Sequence, residues 1–90
     1  MHKHPHPQQQ QVLNRISRAA GHLTAVGRMV EEGRDCSDVL IQLAAVRSAI
    51  NSIGKLIISD HMTHCIASAA ETGDRKALDR FTAAIDTYLK

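Results

Sequence analysis

From Cys36 to about Ala70 the chain follows one helical pattern, and Gly54 is the only helix-weakening residue in it. Val39, Leu43, Val46, Ile50, Ile53 and Ile57 recur at spacings of four and three and form a seam; Leu40, Ala44, Ala49 and Leu56 widen it. A helix of that length measures roughly 50 Å at about 1.5 Å per residue. That exceeds the diameter of a 90-residue globule, so part of it is expected to pack on another copy of the chain. The thin core of so small a protein points the same way. With one Phe, one Tyr and no Trp, packing falls to Ala, Ile, Leu and Val, and the expected fold class is all-α rather than a sheet.

Two shorter helices flank the long one. Val12, Ile16, Ala19, Leu23, Val26 and Val30 make an apolar stripe, with Gln11, Arg15, Arg18 and His22 as a polar stripe beside it. This helix should end near Glu32–Gly33, where Gly33 suits a left-handed cap. Asp35 is the expected N-cap of the long helix, with Asp38 three residues on in imitation of a capping box. Thr72, Gly73 and Asp74 make the next break, and Leu78, Phe81, Ile85 and Leu89 mark a short third helix. Residues 1–7 read as a disordered His-rich tail, in which His2, His4 and His6 alternate with Lys3, Pro5 and Pro7. Residues 8–90 read as a single domain. No apolar run is long enough to span a membrane and no signal peptide precedes the domain, so the cytoplasm is the expected compartment. There the two cysteines, Cys36 and Cys65, read as a metal or redox site rather than a staple.

His61 and Cys65 lie four apart and share a helix face, a spacing that lets both bind one metal ion. Cys36 falls within roughly 20° of the same line but about 37 Å from His61 along a straight helix. One helix cannot close such a site on itself. Two helices packed antiparallel, crossing near Ala49 and Ile50, bring Cys36 of one beside His61 and Cys65 of the other, and a two-fold axis makes two equivalent sites. Two thiolates and an imidazole suit a soft ion. A three-ligand site favours copper(I), whereas structural zinc(II) normally takes four ligands. His4 as a fourth ligand brings nickel(II) or zinc(II) into range. His64 points about 100° from Cys65 and reads as a surface residue. His22, in the polar stripe, is expected in solvent or in a hydrogen bond rather than on a metal.

Charge is distributed unevenly although the net value is only +2. Between Gln8 and Val30 the charged residues are Arg15, Arg18 and Arg28, with no acid; such a segment attracts polyanions. No catalytic carboxylate pair, nucleophile–base arrangement or Cys-x-x-Cys motif points to an enzyme. A metallochaperone or metal-storage protein would account for the thiols and the tail, but not for the acid-free basic first helix.

These residues resemble the CsoR/RcnR family of metal-sensitive repressors, which also includes formaldehyde and persulfide sensors. The resemblance runs from about Val12 to Leu89. It is carried by Ala20-Gly21-His22-Leu23, Asp35-Cys36-Ser37-Asp38-Val39-Leu40, Gln42-Leu43-Ala44-Ala45-Val46-Arg47-Ser48-Ala49 and His61-Met62-Thr63-His64-Cys65. It implies a three-helix protomer, an antiparallel dimer and a disc-shaped tetramer without a helix-turn-helix. It also implies an apo form that holds operator DNA and an inducer that releases it. The copper branch's Cys, His, Cys set matches Cys36, His61 and Cys65. The nickel and cobalt branch adds an N-terminal His, and His4 falls near that position. The persulfide branch keeps both Cys but usually lacks the His, so a persulfide-responsive repressor using Cys36 and Cys65 is a further alternative against which His61 counts; the formaldehyde branch lacks the last Cys, so Cys65 counts against it. Two positions depart from the copper pattern, in which a Tyr before the first Cys and a Glu in the third helix serve as outer partners of the ligands: this chain has Asp35 at the first position and Phe81 near the second. For DNA contact the first expectation is Arg15 and Arg18, the second Arg47 and Lys55, because Arg and Lys neutralise phosphates. With no recognition-helix motif, groove shape is expected to matter as much as base edges.

Overall fold

A computed structural model describes residues 8–90, with Cys65 described by its backbone alone. The His-rich tail, and with it His4, lies outside the described residues. The described chain is three α-helices in sequence: α1 (Gln9–Glu31), α2 (Cys36–Thr72) and α3 (Arg75–Leu89). Two compact units divide it, one ending at Leu56 and the other spanning Ile57–Lys90. The boundary falls within α2.

Local chemistry sets the helix ends. Gly33 has φ +72°, a conformation that costs a glycine little. Arg34 N–H donates to the Met29 carbonyl at 2.9 Å and Gly33 N–H to the Val30 carbonyl at 3.1 Å. This pair of bonds closes α1 as a Schellman motif. At the end of α2, Gly73 has φ +70° and its N–H donates to the Ala69 carbonyl at 2.8 Å, the simpler left-handed cap. Asp35 caps α2, its carboxylate accepting from Ser37 N–H at 3.0 Å, and Asp74 caps α3 by accepting from Ala77 N–H at 3.2 Å. Each aspartate satisfies one of the donors that a helix start leaves open.

In the first unit α1 and the early part of α2 share a narrow core of Ala19, Val26, Val46 and Ile53. Each helix contributes two of these residues, spaced two turns apart. Val46, 2% exposed, is the most deeply buried. We expect Val46→Ala to destabilise the fold by about 2 kcal/mol, through lost methyl burial and a residual cavity; urea denaturation at fixed protein concentration measures it. Other members of the apolar stripes stay exposed, among them Ile16, Leu23, Leu43 and Ile50. Two helices side by side cover only one strip of each other, so the flanking apolar rows remain open.

In the second unit Ala77, Leu78, Phe81 and Ile85 of α3 are half-buried, and Leu89, at the helix end, is exposed. The expectation that no apolar run is long enough to span a membrane needs correction. α2 contains an 18-residue window of mean hydropathy 1.2, long and apolar enough by length and composition. Apolar residues on several sides of the helix raise that mean, although Gln42, Arg47 and Asn51 interrupt any continuous stretch. The core helix of a soluble protein passes the same test. Here only 11% of the window is buried within one chain, which leaves a broad apolar surface uncovered.

Candidate metal centre and nucleic-acid interface

Cys36 opens α2 directly after its cap and presents a free, exposed thiol. The preceding Asp35 carboxylate is engaged with the backbone of the first turn. That bond gives Asp35 a structural reason to stand next to the thiol, independent of any inducer.

His61 lies in the second unit and is half-buried. Its ring packs against Phe81 of α3, with centroids 4.3 Å apart and planes at 53°. Cys65 follows four residues later on the same helix, the spacing at which helical positions share a face. His64 sits beside Asp60, with Nε2 3.9 Å from Oδ1 and its side chain 41% exposed. Among the described residues no group of three or more His, Cys, Asp or Glu gathers within one chain; the Cys65 side chain is not among them.

The basic residues of α1 have a definite setting. Arg15, Arg18 and His22 line a groove of about 340 Å³ with Ala19, Ala49 and Ser52. The groove runs between α1 and α2 within the first unit. Ala19 and Ala49 carry only methyl groups and so leave room between the two helices. His22 is joined to Gln42 of α2 through Nε2 and Oε1 at 2.8 Å, a hydrogen bond rather than a metal contact. Arg47 and Lys55 are exposed on α2 and do not line this groove. No acid lies in the first turn of α1 and Arg28 lies in its last, but the helix closes on Glu31. The expectation of an acid-free first helix is therefore corrected to an acid-free stretch that ends at Val30, because the helix runs one residue past the basic segment.

His22 makes the hydrogen bond that was one of its two expected settings; its partner was not foreseen, and the one available signal was that Gln42 is a polar residue set among apolar positions of the long helix. The His61–Phe81 contact was not foreseen either; its signal was that Phe81 falls near the third-helix position where the resemblance puts an outer partner of the ligands.

Comparison with known proteins bears on both regions. Residues 8–87 match the family model described as a metal-sensitive transcriptional repressor. The copper-sensing transcriptional repressor CsoR of Bacillus subtilis is 38% identical over 64 residues, 71% of this chain and 63% of that protein. The match therefore spans less than two thirds of that relative's length. The nickel-responsive transcriptional regulator InrS is similar in structure, with a TM-score of 0.77 and 42% identity over 97% of this chain and 99% of its own. The copper-sensing repressor CsoR of Geobacillus thermodenitrificans, solved with Cu(I), gives a TM-score of 0.87 and 27% identity, covering 100% of this chain and 95% of that one.

Proposed function

The chain belongs to the CsoR/RcnR family of metal-sensitive transcriptional repressors, and on that premise we propose that it binds operator DNA in its apo form and is released by copper(I) held between two protomers. One observation carries the reading. The chain's two thiols and the half-buried imidazole of His61 are divided between two compact units, Cys36 in one and His61 with Cys65 in the other. An antiparallel pair of chains places Cys36 of one protomer with His61 and Cys65 of its partner, and symmetry makes a second such site. The uncovered apolar rows of α1 and α2 supply the surface for that association. Further pairing of dimers into a tetramer would cover more of it.

The donor set fits a soft ion: Cys36 and Cys65 offer thiolates and His61 an imidazole. Copper(I) supplies the bonds that tie two chains together at that point. Cys36 then moves with the partner's His61 and Cys65, which shifts the spacing of the basic grooves on the two protomers. Arg15 and Arg18, with Arg47 and Lys55 as secondary contacts, neutralise backbone phosphates in the apo form. When their spacing no longer matches the duplex, affinity falls. By linkage, operator DNA weakens metal binding by the same factor. Residues 8–90 act together as one sensing and DNA-binding domain, working in the cytoplasm.

A second reading, nickel(II) as inducer, is favoured by the 42% identity to InrS over 97% of this chain. It adds His4 as a fourth ligand. The deciding measurement is fluorescence anisotropy of an operator duplex with the full chain, titrated separately with copper(I) and nickel(II). Release by copper(I) with retention under nickel(II) is expected. Release by nickel(II) alone, abolished by His4→Ala, replaces the copper reading with the nickel one. Failure of the apo protein to hold the duplex at all rejects the repressor function and leaves metal storage.

A further inference from the structure

We infer that Phe81 is a positioning residue for His61, its ring setting the orientation in which the imidazole meets a metal ion. The inference rests on the proposed function, which makes His61 a ligand, and adds a residue that holds it. The two rings are 4.3 Å apart between centroids and tilted by 53°, a close ring contact just short of the ~4.5–7 Å separations usual for attracting aromatic pairs. Both side chains are half-buried within the second unit. A histidine's second torsion is broad and nearly unrestrained by its own bonds, so a ring lying against one face narrows where its nitrogens can point. Preorganisation of this kind lowers the entropy lost on binding.

Phe81 differs in kind from a hydrogen-bonding outer partner. A carboxylate would draw on an imidazole N–H and add charge beside the ion. A phenyl ring adds neither, and it excludes water from the face it covers. Its location also has a structural consequence. Phe81 belongs to the half-buried row of α3 with Leu78 and Ile85, so the ring's position depends on how α3 seats against the end of α2. The seating of α3 and the aim of His61 are therefore coupled.

The test separates ring from bulk. Phe81→Tyr keeps the ring, whereas Phe81→Leu and Phe81→Met keep apolar volume without it. Metal affinity of the full chain is measured by chelator competition with copper(I) and, separately, nickel(II). The metal-free proteins are compared by thermal melting and by the NMR shifts of the His61 ring protons, which feel the Phe81 ring current. For the metal that binds, we expect Phe81→Tyr to stay within about twofold of the parent and the ringless variants to weaken about tenfold, as outer partners of ligands typically do. The His61 shifts should move in the ringless variants while melting stays near the parent value. Parental affinity in Phe81→Leu and Phe81→Met, with the ring shifts lost, overturns the inference and leaves Phe81 as packing. His61→Ala is the separate control: undiminished affinity there would reject the ligand set itself.

Discussion

Cys36→Ala is expected to lower copper(I) affinity by more than about a hundredfold, beyond the range that outer partners of a ligand account for. Operator binding by the apo protein should be unchanged. The thiol is exposed and makes no part of the core, and alanine is a good helix former at the start of α2. The variant should therefore remain a repressor that copper no longer releases.

Cys65→Ala should behave alike, and mixing the two variants tests where the ligands come from. In a mixed dimer one site lacks both thiols, and the other keeps Cys36 from one chain with His61 and Cys65 from its mate. Random reassociation of equal amounts makes half the dimers mixed, each with one intact site. Copper stoichiometry should recover to about a quarter of the parental value. A site built within a single chain would recover nothing, because every chain in the mixture lacks one of its thiols. Unfolding and refolding the mixture before titration ensures exchange of subunits.

The second large effect concerns α1. Replacing Arg15 and Arg18 together by alanine removes two cations from one wall of the groove and leaves Ala19, Ala49 and Ser52 in place. For every phosphate no longer neutralised, the slope of log affinity against log salt should become shallower by about 0.9. Every protomer carries the pair, so the effect is multiplied across an assembly; at moderate salt we expect operator affinity to fall by more than about a hundredfold. Copper affinity measured without DNA should be preserved, since neither arginine belongs to the proposed ligand set. Replacing Arg47 and Lys55, which do not line the groove, should have the smaller effect. An unchanged salt slope in the Arg15/Arg18 variant would remove these residues from the interface.

The chain's own residues determined the three helices and their ends. Periodicity of apolar residues and the caps at Asp35, Asp74, Gly33 and Gly73 are local matters: each is settled by torsions and hydrogen bonds within a turn or two. Donor chemistry was equally legible, since two thiols and an imidazole at these positions suit a soft ion wherever the chain carries them. Which apolar rows are buried was not legible. Of the seam on α2, Val46 and Ile53 are buried, and Leu43 and Ile50 stay exposed, because the rotation of one helix against another selects the row that is covered. The same selection brings Phe81 to His61, joins His22 to Gln42, and gathers Arg15, Arg18 and Ser52 around one groove. Spacing along a helix says which residues share a face; only tertiary packing decides what that face meets, because the meeting partners lie on separate helices whose relative rotation no local pattern encodes.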